Sequence, residues 1–203
     1  MFTGIVTAMG RIARVERRGG DLRCGIAVPA GFLRGTAAGD SIAVSGVCLT
    51  VVAKSARAFT ADLSVETLQA TTAGHWRSGT PVNLETALTA GTPLGGHLVS
   101  GHVDGVGRLR ARRDEARSVR LQFESPAALG RYVARKGSIC VDGVSLTVNE
   151  VADARGGACR FGVNMIPHTL AHTTLGRLDP GDPVNLEVDL VARYLERLST
   201  ARS

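Results

Sequence analysis

Gly46-Val47-Cys48-Leu49-Thr50-Val51 returns as Gly143-Val144-Ser145-Leu146-Thr147-Val148, an offset of 97 residues from 46 to 143. The same offset carries Gly4 and Val6 onto Gly101 and Val103, Gly10-Arg11 onto Gly107-Arg108, and Pro29-Ala30 onto Pro126-Ala127. Further on, Glu66-Thr67-Leu68 faces His168-Thr169-Leu170, and Pro81-Val82-Asn83-Leu84-Glu85 faces Pro183-Val184-Asn185-Leu186-Glu187, now at an offset of 102. The second copy therefore carries five extra residues, placed around Asp153 to Ala158. A period this long is a duplicated domain, because solenoid units run about 20–50 residues. The chain reads as two small domains of one fold, with two related sites.

Short β-branched runs bounded by Gly or Ser mark strands at 41–44, 49–52 and 82–85, and their partners at 138–141, 146–148 and 184–187. About six such strands per copy imply a small closed barrel. The expected fold class is all-β: two tandem homologous six-stranded β-barrels, residues 1–94 and 95–188, followed by a C-terminal α-helix over 189–203. The join falls in the Gly- and Pro-rich stretch at 90–96. Asp142-Gly143 is a strong tight-hairpin signal because both residues tolerate positive φ. Ser45-Gly46 is the weaker equivalent, so the first hairpin is expected to be slightly looser. Helix is scarce. One short helix is expected from Ser125-Pro126 to Val133, with Ser as N-cap and Pro in the first turn. A counterpart is expected at 29–33 and a helical turn within 167–175. In the tail Val191, Tyr194, Leu195 and Leu198 recur at helical spacing, with Arg193, Glu196 and Arg197 opposite. This stripe has no partner in the first copy. Its expected cover is another copy of the chain in a symmetric assembly, the alternative being its own barrel.

The 203 residues are 44% hydrophobic, enough for real cores, and carry a net charge of +6. Arginine supplies almost all of it, Lys54 and Lys136 being the only lysines. A basic surface attracts anions. The arginines are scattered, however, and 4% aromatics is too few for a base-stacking platform, so no nucleic-acid partner is expected. No apolar run is long enough to span a bilayer, and the first residues lack a signal-peptide pattern. Cys24, Cys48, Cys140 and Cys159 form no CxxC pair. A cytoplasmic protein with reduced thiols and no membrane partner is expected.

Five motifs stand in order on this duplication: Met1-Phe2-Thr3-Gly4-Ile5-Val6, Gly46 to Val51, Gly95-Gly96-His97 with Gly101-His102-Val103-Asp104-Gly105, Asp142 to Val148, and Ile166-Pro167-His168-Thr169-Leu170. Together they resemble the riboflavin synthase α-chain family over essentially the whole chain. The resemblance implies dismutation of two molecules of 6,7-dimethyl-8-ribityllumazine. One donates a four-carbon unit to the other, giving riboflavin and 5-amino-6-ribitylaminouracil, without cofactor or metal. It also implies a homotrimer held by C-terminal helices, with each active site between the N-terminal barrel of one subunit and the C-terminal barrel of a neighbour. Association with lumazine synthase stays open. The competing reading is a non-enzymatic lumazine- or flavin-binding antenna protein, which shares the duplicated barrel but keeps one working pocket. The Leu-Thr-Val motif in both copies, with Cys48 and His102, favours the enzyme.

By resemblance, the lumazine contacts of the first barrel fall on Gly4-Ile5-Val6, Cys48-Leu49-Thr50 and Asp62-Leu63-Ser64-Val65-Glu66-Thr67. Those of the second fall on Gly101-His102-Val103, Lys136, Ser145-Leu146-Thr147 and Asn164-Met165-Ile166-Pro167-His168-Thr169. Glycines let backbone approach a flat ring, and Ser and Thr supply hydrogen bonds to it. Asp62, Ser64, Glu66 and Thr67 are candidates for the ribityl chain. Cys48, His102 and Ser145 are the catalytic candidates. Cys48 as thiolate would stabilise an adduct or help exchange the acidic C7-methyl proton; otherwise it is a small buried strand residue. His102 is either a general acid–base group or a local hydrogen-bond donor. Ser145 stands where the first copy has Cys48, and unequal donor and acceptor roles require unequal pockets. Lys136 stands where the first copy has Gly39. It reads as a specific contact at a pocket rim, or else as a solvated charge. His97 with His102, and His168 with His172, have no third ligand in a zinc pattern, so no metal is expected.

Overall fold

The computed structural model describes residues 1–153 and 158–200; most of the insertion expected at 153–158 lies outside the described residues. The first copy supplies β1 (Ala8–Arg18), β2 (Asp21–Ala27), β3 (Ser41–Val44), β4 (Val47–Thr50), β5 (Ala53–Lys54), β6 (Ala58–Leu63) and β7 (Pro81–Thr86). The second supplies β8 (Gly105–Glu115), β9 (Ser118–Ser125), β10 (Ser138–Val141), β11 (Val144–Asp153), β12 (Cys159–Met165) and β13 (Pro183–Val188).

The second copy closes into a six-stranded antiparallel barrel in the order β10-β11-β12-β9-β8-β13. The first has the order β4-β3-β7-β1-β2-β6-β5. This is the same ring with one strand divided, since β4 and β5 together stand where β11 is continuous. The expected six strands are therefore seven in this copy. The cause is local. The register of β11 slips between Val148 and Glu150, and Val51, the counterpart of Val148, opens the gap between β4 and β5. A bulge that merely bends one strand has become a break in the other. Val52 N still donates to Thr60 O at 2.8 Å, so the sheet stays curled.

Strand side chains alternate between a filled interior and solvent, as β9 shows along its length. Ile12, Ile26, Ile42, Phe59 and Leu84 fill the first barrel. Leu109, Leu121, Phe123, Phe161 and Leu186 fill the second. Each such side chain contributes about 1.5–3 kcal/mol on burial.

The halves meet where their shared hairpins cross. Ser45-Gly46 and Asp142-Gly143 have φ of 44°, 81°, 46° and 80°, the left-handed pairs of a type I′ turn. A Cβ on Gly46 would lie 2.8 Å from Gly143 N, and one on Gly143 2.8 Å from Gly46 N, so the two backbones touch only as glycines. Asn83 Nδ2 donates to Asp142 O and Asn83 Oδ1 accepts from Thr174 N, both at 2.8 Å. Asn185 mirrors this: its Nδ2 donates to Ser45 O and its Oδ1 accepts from Thr72 N, again at 2.8 Å. Both hairpins make the same type of turn. Ser45 is buried, and Asn83 holds both its N–H and its hydroxyl.

The helix expected from Ser125 is a 3-10 turn over Ala127–Tyr132 without a side-chain cap. Ser125 ends β9 instead, its hydroxyl donating to Cys159 O. Its counterpart after Pro29 is a run of turns. Helix α1 (Val65–Ala70) was not anticipated; Ser64 Oγ caps it by accepting from Thr67 N. Helix α2 (Pro167–His172) occupies the expected place in the second copy. Helix α3 (Leu190–Thr200) forms the tail. It docks by its polar side: Arg193 pairs with Asp104 at 2.8 Å, and Glu196 accepts from Arg131 at 2.8 Å and from Tyr132 OH at 3.3 Å. Val191, Tyr194, Leu195 and Leu198 point away, each 60–65% exposed. Among the described residues no helix is long and apolar enough to cross a membrane.

Candidate functional site

The crossing at the seam lets each copy complete the other's pocket. Ser145 N donates to Gly4 O at 2.7 Å, and Cys48 N donates to Gly101 O at 2.9 Å. Val6 packs on the second core and Val103 on the first. The grouping expected from sequence is thus corrected. Gly4-Ile5-Val6 sits with Ser145, and Gly101-His102-Val103 sits with Cys48. Both glycines have positive φ, 74° and 79°. A Cβ on Gly4 would lie 2.7 Å from Ser145 Cβ, and one on Gly101 2.6 Å from Cys48 Cβ.

The last residue of the repeated Pro-Val-Asn-Leu-Glu motif holds these straps. Glu85 accepts from Thr3 N and Thr3 Oγ1 at 2.7 Å and from Gly4 N at 3.0 Å. Glu187 accepts from Ser100 N and Ser100 Oγ at 2.6 Å and from Gly101 N at 2.9 Å. Burial pushes both carboxyls above the ordinary range, and the donated hydrogen bonds oppose it. The repeat made this motif visible, but nothing in its spacing said that it clamps the opposite copy's pocket.

In the first pocket Cys48, Ser64, Glu66, Thr67, Gly101 and His102 surround a cleft of about 250 Å³. Cys48 is half-buried and free, whereas Cys24, Cys140 and Cys159 are buried and their thiols are pushed up by that burial. His102 is exposed, and its backbone N–H donates to Ser100 Oγ. Leu49 and Leu63 are core side chains, while Thr50 and Val65 face outward. Asp62 lies on the outer face in a bidentate pair with Arg23 at 2.6 and 2.5 Å. That guanidinium holds its carboxyl below the usual range.

At the equivalent place in the second copy Ser145 Oγ lies 2.7 Å from His97 Nδ1. The sequence places His97 in the Gly95-Gly96-His97 motif and in a candidate metal pair, and neither points to Ser145 as its neighbour. Leu146 and Met165 are core residues, Thr147 and Asn164 face outward, and Ile166 is 58% exposed. Pro167 opens α2, which carries His168 and Thr169. His168 and His172 stack at 4.1 Å, and His172 Nδ1–H donates to His168 O. No three potential metal ligands gather among the described residues. Lys136 stands apart from both pockets of its own chain. It has φ 68°, where Gly39 has 95°, and lines a surface cleft with Arg120, Arg135 and Glu150. Ser138 pairs with Thr147 and Val141 with Val144, so Lys136 lies beyond the end of the β10–β11 hairpin opposite its turn.

Comparison with known proteins gives a consistent picture. The lumazine binding domain family model matches twice, over residues 3–87 and 100–189. The riboflavin synthase of Photobacterium phosphoreum is 42% identical over 198 residues, 98% of this chain and 88% of its own. That of Brucella abortus (strain 2308) is 44% identical over 206 residues, 98% of each chain. That of Mycobacterium tuberculosis (strain ATCC 25618 / H37Rv) is 46% identical over 200, again 98% of each. Among solved structures, LumP complexed with riboflavin superposes with a TM-score of 0.83 at 28% identity, over 93% of this chain and 99% of that one. LumP complexed with 6,7-dimethyl-8-(1'-D-ribityl) lumazine gives 0.81 at 27% identity, with the same coverage.

Proposed function

The chain belongs to the riboflavin synthase family of duplicated lumazine-binding domains, and on that premise we propose that it converts two molecules of 6,7-dimethyl-8-ribityllumazine into riboflavin and 5-amino-6-ribitylaminouracil. The observation that carries this reading is the pair of related but unequal hairpin sites, Cys48 and Ser145, each met by the other copy's glycine strap. A dismutation needs two identical substrates in different roles. Cys48 with His102 at one pocket and Ser145 at the other supply that difference. The transferase moves a four-carbon unit between the substrates, and holding two reactants in one orientation accounts for much of such a rate. Identities of 42–46% to riboflavin synthases over 98% of the chain favour an enzyme over an antenna protein.

We assign the lumazine contacts to residues 4–6, 48–50, 62–67, 101–103, 136, 145–147 and 164–169. Because Lys136 is remote from both pockets of its own chain, it meets ligand only across a subunit boundary. A homotrimer is supported by α3, whose polar side grips its own barrel while its apolar stripe is left outward. Four free cysteines suit the cytoplasm. The test is to incubate the purified protein with 6,7-dimethyl-8-ribityllumazine alone and follow riboflavin by its visible absorption. One riboflavin is expected per two lumazines consumed. Binding of the lumazine without any riboflavin would favour the antenna reading.

A further inference from the structure

His97 is the only buried histidine of the five in the chain. Its Nδ1 lies 2.7 Å from Ser145 Oγ, while its Nε2 is buried with no partner among the described residues. The ring is anchored through its backbone, since His97 N donates to Thr3 O at 3.1 Å. Gly96 brings this segment close: a Cβ there would lie 2.8 Å from Ser145 Cβ and 2.9 Å from its Oγ. Gly4 O takes the Ser145 N–H from the other side. Ser145 is thus enclosed by Gly4, Gly96 and His97.

Two features argue that this contact is more than packing. An apolar side chain would fill the same space without burying an unpaired nitrogen, so what histidine adds here is the Nδ1 contact. The contact also belongs to one pocket only. The strap facing Cys48 presents the exposed His102 instead. Burial lowers the basicity of His97 and so favours the neutral ring, with Asp189 opposing it. A neutral imidazole presents Nδ1 as donor or acceptor, and either role fixes the serine hydroxyl, which otherwise samples three staggered orientations.

We infer that His97 is a positioning residue for Ser145: it holds the serine hydroxyl in one orientation on the wall of the second pocket and so gives that pocket a chemistry the Cys48 pocket lacks. The inference rests on the reading proposed above. It predicts an order among substitutions that packing reverses. His97→Asn keeps a hydrogen-bonding group near the Nδ1 position but is smaller. His97→Leu fills the space without a polar atom, and His97→Gln moves the amide toward the Nε2 position. Steady-state rates, lumazine dissociation constants and melting temperatures are measured for each. The Leu and Gln variants are expected to lose about tenfold or more in kcat with little change in KM. The Asn variant is expected to stay within about threefold of wild type. Ser145→Ala added to His97→Leu is expected to cost nothing further. Should the Leu variant not fold, the Gln and Asn pair carries the comparison. A Leu or Gln variant as active as wild type, an Asn variant worse than both, or independent losses in the double variant would overturn the inference. A wild-type protein that binds lumazine but makes no riboflavin would overturn the dismutase reading and this inference with it.

Discussion

Glu187 lies in the same copy as Ser145, yet its loss is expected to expose Cys48. Its Oε1 accepts two hydrogen bonds from Ser100 and its Oε2 one from Gly101 N at 2.9 Å. In Glu187→Gln one oxygen becomes an NH2 group, so Gly101 N–H faces a donor and loses its acceptor. A buried donor left unsatisfied costs about 1–3 kcal/mol. Taking about 2 kcal/mol, and 1.4 kcal/mol per factor of ten, the strap opens about 30-fold more often. Gly101 O is the acceptor of Cys48 N–H, so the Cys48 amide reports this opening through hydrogen exchange. Protection at Cys48 is expected to fall by about that factor, with Ser145 N–H unchanged. Glu85→Gln should do the reverse, deprotecting Ser145, whose N–H is held by Gly4 O. Loss of protection within the mutated copy, or at both amides equally in either variant, would refute the exchange of straps.

Asp142 is buried at the seam, where desolvation raises its carboxyl from 3.8 to about 7 and a hydrogen bond from Asn185 N opposes it. The folded chain thus binds a proton that the unfolded chain has released between these values. Stability from this group is full below pH 3.8 and falls as pH rises through about 7. Asp142→Asn keeps the turn and the bond to Asn185, and is expected to be more stable than wild type at pH 8, by at most about 4 kcal/mol. The gain should shrink toward zero near pH 4 in denaturant melts; a constant difference across pH would contradict the assignment. A stop codon after Asp189 removes α3 but keeps Val188, which pairs with Ile139 in the barrel. The truncated chain is expected to sediment as a monomer and lose activity that deepens on dilution. Full activity as a monomer would refute a site shared between subunits.

The duplication, the paired hairpins and the tail helix were readable directly from the residues, because each is written in neighbours. Asp142-Gly143 joins strands that pair across a two-residue turn, and the stripe on α3 repeats within one element. The strands around Ile42 and Ile139 were placed to the residue for the same reason. Other features depend on partners far away in the chain. Gly4 meets Ser145 across 141 positions (4 to 145) and Gly101 meets Cys48 across 53 (48 to 101). No local pattern separates a strap that crosses the seam from one that stays in its own copy. The split between β4 and β5 hides in the same Leu-Thr-Val motif that β11 carries unbroken. His97 precedes the first position that the repeat aligns, so its contact with Ser145 had no counterpart to reveal it. The chain's repeat set how many related hairpin sites there are. Only the crossing of two backbones at Gly46 and Gly143, close enough to exclude any side chain, decided which residues share each one.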